Sequence, residues 1–266
     1  MQRAHLFEFN DLPWLPSPLR KTIREFLHHM SVRLRMYDSA FDLLGELLRQ
    51  RKLTSIQALC AGDGGLMLAL SRHLGREDVH IQLSDKFPAS ELYAEVERES
   101  AGRVGHVAES VDVLNVPAHL EGLRLVVNAV HHFQPEQVRG ILTDAVGKRQ
   151  PIVFMEPVQR EPLAILRFCA ATPLLSAWLS LGGIWPLSVR RTLLGVVVPV
   201  GAFCFFVDGV VSHLRAYHLD EWRDLIAQVD GHEHYDWDLR QVPGFMGSRI
   251  SFLAGLPKAH LSQEPA

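Results

Sequence analysis

Between Ser55 and Met155, short apolar runs alternate with stretches of helical spacing, and no other feature of the chain restricts its fold as much. A chain that alternates strands with amphipathic helices crosses over between successive strands, so the strands run parallel and the helices cover both faces of the sheet. The pattern predicts strands at Ile56 to Cys60, His80 to Ser84, Gly105 to Glu109, Leu123 to Asn128 and Pro151 to Met155. Helices are expected near Leu66 to Leu74, Ala89 to Glu99 and Pro135 to Gly147. The fold class is therefore α/β, a doubly wound and mostly parallel sheet.

The flanks differ from this core. Leu6 to Pro18 mixes Phe7, Phe9 and Trp14 with Asp11, Pro13, Pro16 and Pro18, which reads as an extended arm that docks through its aromatic residues. Two amphipathic helices follow between Leu19 and Arg51. After Pro157 come two apolar stretches, Leu163 to Ile184 and Leu193 to Val207, separated by Trp185, Pro186, Arg190 and Arg191. They are expected to form a helical hairpin. Arg167 interrupts the first and Asp208 ends the second, so burial or shallow bilayer contact is expected rather than crossing. A helix from Leu219 to Val229 and a strand around Ser248 to Leu253 complete the sheet, and Gln263 to Ala266 are expected to fray. The expected organisation is an N-terminal arm with helices (1–53), an α/β core (54–160), an apolar helical insertion (161–216) and a C-terminal part (217–266).

Composition excludes some functions. The chain of 266 residues carries 27 Lys and Arg against 30 Asp and Glu, with no basic stripe, so nucleic acid is not an expected partner. Its three cysteines, Cys60, Cys169 and Cys204, lie far apart in apolar surroundings, which fits neither a disulfide framework nor a metal knot. The first ten residues lack the apolar core of a signal peptide, and a cytoplasmic location is expected.

The sharpest local signal is Cys60-Ala61-Gly62-Asp63-Gly64-Gly65, where a strand runs through glycines into a helix. Such a turn either only reverses the chain or lets the backbone approach a nucleotide-like ligand. Asp85 follows the second strand, where a carboxylate can accept ribose hydroxyls or cap the next helix. Asp112, after the third strand, could meet an adenine amine. Asn128-Ala129-Val130-His131-His132-Phe133 closes the fourth strand, at the edge where open sheets hold ligands. There His131 or His132 either packs or removes a proton. Glu156, Asp208 and Trp14 are candidates for contacting substrate; for Asp208 the alternative is a helix-end residue bonded to Ser212 or Arg215. His232, His234 and Asp236 alternate as metal ligands could, but no fourth ligand accompanies them, and no metal is expected.

In this order, Gly62-Asp63-Gly64-Gly65, Asp85, Asp112 and Asn128 through Phe133 resemble the successive motifs of class I methyltransferases, over residues 54 to 160. A wider resemblance, to a largely uncharacterised group of bacterial methyltransferase-like proteins, runs through Phe7 to Trp14, His131-His132-Phe133, Phe154 to Pro157 and Asp208 to Ser212. The resemblance implies S-adenosylmethionine as cofactor, with Cys60, Ala61, Gly62 and Gly64 beside its methionine portion, Asp85 on the ribose, Asp112 on the adenine and Asn128 lining the pocket. Two positions depart from the motif, which usually has an acid at Ala58 and a glycine at Cys60.

The expected function is methyl transfer to a hydrophobic small molecule, at oxygen, with His131 or His132 as base and Trp185, Phe203, Phe205 and Phe206 around the acceptor. The alternative is a catalytically degenerate fold acting as a binding or membrane-associated protein. The apolar insertion further raises the expectation of peripheral contact at the inner membrane, or of a homodimer.

Overall fold

A computed structural model describes residues 1–258, apart from the side chain of Met246. The expected fraying of Gln263 to Ala266 lies outside these residues. In chain order the first elements are α1 (Ser17–Arg33), α2 (Asp38–Gln50), β1 (Ser55–Leu59), α3 (Gly65–Leu74), β2 (His80–Leu83), α4 (Ser90–Glu99) and β3 (Val104–His106). They are followed by β4 (Leu123–Val127), α5 (Pro135–Gly147), β5 (Ile152–Glu156), α6 (Pro162–Trp178), α7 (Val189–Thr192) and α8 (Val200–Arg215). The last are α9 (Leu219–Ala227), β6 (Tyr235–Pro243) and β7 (Arg249–Pro257). The chain divides into two compact units, one made of Met1–Met36 with Val158–Tyr217 and the other of Tyr37–Pro157 with His218 onward.

The second unit is built on one sheet of order β3-β2-β1-β4-β5-β7-β6. β1 pairs parallel with both β2 and β4, and the direction of winding reverses between β1 and β4. β7 runs antiparallel between β5 and β6. The expected central strands are present, with Gln57 on β1, Gln82 on β2 and Arg124 on β4 as polar positions among buried apolar ones. β5, Ile152 to Glu156, is buried at every position.

Local chemistry sets the ends of the helices. α5 starts with Pro135 in its first turn and a box in which Gln137 Oε1 accepts from the Gln134 N–H at 2.9 Å. α3 stops where Gly75 adopts φ 59°. Beneath α5, Arg124 on β4 is 1 % exposed and pairs with Asp144 at 2.7 Å, while Asp144 also accepts from Lys148 and from the Val116 N–H.

The structure adds to the sequence reading or departs from it at three places. β6 was not expected at all: its edge position lets Asp236, Asp238 and Arg240 sit on a strand. In the segment where no metal is expected, His232 and His234 form a single 3-10 turn, and Asp236 belongs to β6, ion-paired to Arg51 at 3.0 Å. The first apolar stretch is not broken at Arg167: Pro162–Gly183 is one 22-residue helix whose last turn is π-wound.

The first unit has its own core of Leu15, Ile23, Phe26, Leu179, Ile184, Cys204 and Phe205. α8 does not end at Asp208 but continues to Arg215, because the Asp208 carboxylate accepts two backbone N–H groups of the arm, Phe9 at 2.6 Å and Asn10 at 3.0 Å. Arg215 adds bonds to Leu6 O, Glu8 and Asp11. The arm is thus fastened to α8 by charge-assisted bonds.

Asp144→Ala is expected to cost about 3–5 kcal/mol, read as a lower urea midpoint with unchanged slope, because it leaves the buried Arg124 guanidinium without its carboxylate.

Candidate functional site

The strands β1 to β5 are parallel, so the segments leaving their carboxyl ends gather along one edge, and the crevice of such a sheet lies where the winding reverses. Here that is between β1 and β4. The glycine loop leaves β1 and the His131-His132 segment leaves β4, so the two border the crevice.

The glycine loop turns through left-handed backbone at three positions, Cys60 (φ 54°), Gly62 (φ 61°) and Gly64 (φ 77°). Cys60 therefore adopts the conformation that explains a glycine in the motif it resembles, and does so with a side chain. At Gly64 the restriction is also steric, since a Cβ would lie 2.6 Å from Leu83 Cδ1. The loop is held from β2: the Ala61 N–H donates to Ser84 O at 3.0 Å and the Gly62 N–H to Asp85 Oδ2 at 3.0 Å. Burial, aided by Asp85 and Asp112, pushes the Cys60 thiol up to about 12. Ala58, where the motif usually carries an acid, is buried on β1.

Asp85 does not cap α4, whose N-cap is Ala89. Its other oxygen accepts from the Phe87 N–H at 2.9 Å, so the carboxylate bridges the glycine loop and the β2 turn. One bond per oxygen leaves further lone pairs for a ligand. Asp112 accepts from the Leu114 N–H and from Lys86 Nζ, 2.8 Å away, and the Lys86 bond holds its carboxyl below the usual range.

At the end of β4, Asn128 takes φ 54° while its N–H still donates to Met155 O at 2.9 Å. The turn that follows is fixed by Glu156. Oε1 accepts from the Ala129 and Val130 N–H groups at 2.8 and 2.9 Å, and Oε2 lies 2.7 Å from His131 Nδ1. Both residues are buried, and the His132 ring lies 4.3 Å from that of His131. Glu156, expected to contact substrate, thus also holds the turn after β4 and the His131 ring.

Two tyrosines join the site without having been singled out. The hydroxyls of Tyr93 on α4 and of Tyr37, ahead of α2, are buried with no hydrogen-bond partner among the described residues. Burial and then Asp85 push the Tyr93 phenol up, and burial and then Glu156 do the same for Tyr37. Both stay protonated donors close to the site's two carboxylates. In the sequence each is one more apolar position beside a helix, with nothing to distinguish it from core.

The remaining expectations fall in the other unit. Trp14 is 71 % exposed in a turn, Trp185 and Phe203 are also exposed, and Phe205 belongs to that unit's core. The Asp208 carboxylate accepts from the arm, and its backbone oxygen accepts from Ser212 Oγ at 2.9 Å, one of the partners expected for it.

No protein-family profile and no curated protein matches the chain. Solved structures do. The plantazolicin methyltransferase BpumL, solved with SAH, aligns over 94 % of each chain with a TM-score of 0.57 at 12 % identity. A protein assigned as an O-methyltransferase from Nostoc punctiforme aligns over 96 % of this chain with a TM-score of 0.52 at 12 % identity. The O-methyltransferase of neocarzinostatin biosynthesis, solved with S-adenosylmethionine and 2-hydroxy-5-methyl naphthoic acid, aligns over 91 % with a TM-score of 0.53 at 15 % identity. The chain spans 64 % and 59 % of the length of these last two. The fold is thus the Rossmann-like fold of class I methyltransferases.

Because its thiol is held protonated, Cys60 is expected to react with iodoacetamide at pH 8 more than about tenfold slower than glutathione, measured by peptide mass spectrometry.

Proposed function

We propose that this protein transfers a methyl group from S-adenosylmethionine to an oxygen of a hydrophobic small molecule. The observation that carries the reading is the buried Glu156–His131 pair, 2.7 Å apart at the mouth of the crevice that the glycine loop borders.

The residues fit the cofactor. Gly62 and Gly64 carry no side chain at two of the loop's left-handed positions, Asp85 retains lone pairs for two hydroxyls, and Tyr93 offers an unsatisfied donor nearby. By the resemblance, Cys60 and Ala61 would flank the methionine portion and Asp112 would meet the adenine, with Asn128 at the end of β4. When bound, S-adenosylmethionine supplies a methyl group already activated by its sulfonium, so the protein's work is alignment and exclusion of water.

His131 does the proton chemistry. Glu156 holds the ring through Nδ1, and the ring takes the proton of an acceptor hydroxyl as its oxygen takes the methyl group. The same carboxylate stabilises the imidazolium that results, as in other carboxylate–histidine pairs. The His132 ring packs beside it, 4.3 Å between centroids and tilted by 37°. The oxygen acceptor and its apolar character are supported by the aromatic hydroxy acid in the neocarzinostatin enzyme.

Calorimetric titration with S-adenosylmethionine and its demethylated product tests the cofactor. Saturable binding is expected, weakened about tenfold or more by Asp85→Ala, the loss typical of a hydrogen bond to a charged group. Absence of heat with folded protein and millimolar ligand would overturn the reading. His131→Ala should keep that binding but slow transfer to hydroxylated aromatic acceptors by about 10²–10⁴-fold, read by product mass.

A further inference from the structure

The helix Pro162–Gly183 is built inside out. Thr172, Ser176 and Ser180, four residues apart, are buried, and their hydroxyls are satisfied by Phe168 O, Pro173 O and Ser176 O. Leu163, Leu166, Leu174, Trp178 and Leu181 recur at helical spacing on the exposed side. Only 22 % of its most apolar window is buried, whereas a helix serving as core would turn this stripe inward. The exposed apolar surface continues through Trp185, Leu187 and Val189, the last 87 % exposed, to Val196, Val197, Val198 and Phe203. An apolar surface this continuous is an interaction surface.

Its charge indicates the partner. Residues 162 to 207 contain no Asp or Glu and three arginines, Arg167, Arg190 and Arg191. Glu25 takes up part of the charge of Arg190 and Arg191, at 2.7 and 3.3 Å. Arg190 also bonds Pro18 O and Thr22 Oγ1, which holds the first turns of α1, with exposed Lys21 and Arg24, against the apolar tip. The whole unit has eleven Lys and Arg against five Asp and Glu, a formal +6, within a chain of formal charge −3. The rest of the chain therefore carries −9.

We propose that this unit docks on an anionic lipid surface, with Trp178, Trp185, Leu187 and Val189 entering the interface and Lys21, Arg24 and Arg167 facing the headgroups. Exposed tryptophans on an apolar face flanked by basic residues are the pairing that an interfacial segment uses. The proposal stands independently of the methyl-transfer reading.

The test is sedimentation of the full chain with phosphatidylcholine vesicles made with or without phosphatidylglycerol, with tryptophan emission recorded in parallel. The protein is expected to pellet with the anionic vesicles, to shift its emission to the blue and to be released by salt. Leu187→Glu with Val189→Glu should abolish pelleting while circular dichroism and the unfolding midpoint stay unchanged. Lys21→Gln with Arg24→Gln should weaken partition about fivefold per charge removed, the fold-change equivalent of ~1 kcal/mol each. Protein left in the supernatant with both vesicles would overturn the proposal, as would equal partition onto both. A dimer that Leu187→Glu with Val189→Glu separates, without vesicle binding, would assign the face to a second copy instead.

Discussion

A buried carboxylate must be satisfied by donors nearby, and Glu156 meets this requirement with the two backbone N–H groups and the imidazole of the turn after β4. The arrangement ties the ends of two neighbouring parallel strands together at the crevice. It also decides which nitrogen of His131 faces the carboxylate. On the other side of the crevice Asp85 plays a matching part, joining the glycine loop to the turn after β2. The site is therefore framed by two acids that act first on backbone.

This framing explains what could be read from the sequence and what could not. Strands β1, β2, β4 and β5 were visible because each is a short run anchored by buried apolar residues, and α5 was visible to the residue because Pro135 and Gly147 punctuate it. β6 was hidden because an edge strand tolerates charge, and its neighbouring histidines drew the eye toward a turn. Asp85 and Asp112 stood out as acids at strand ends. The roles of Glu156 and Asp208 were not readable, since both are carboxylates whose partners are backbone N–H groups, which have no signature in a sequence. Tyr37 and Tyr93 were invisible for the opposite reason: as large residues beside buried helix positions they look like packing, and only the unmet hydroxyl distinguishes them.

The departure at Cys60 is resolved by geometry. The position requires left-handed backbone, which a glycine would adopt without strain, and the chain adopts it with a cysteine at a cost of about 1 kcal/mol. The turn keeps its shape because the following Ala61 and Gly62 N–H groups are anchored to β2. At Gly64 no such substitution is open, because the space is already filled by Leu83.

The division of the chain into units has a consequence for how it becomes folded. The arm and α1 share their core with residues that begin at Val158, so the N-terminal 36 residues leave the ribosome long before the helices they pack against exist. Contacts of this sequence separation form late and carry a large loop-closure cost. During synthesis Phe9, Ile23 and Phe26 remain uncovered while the sheet between them and their partners is completed. This segment of the nascent chain is thus exposed until α8 has emerged to receive the arm on Asp208 and Arg215.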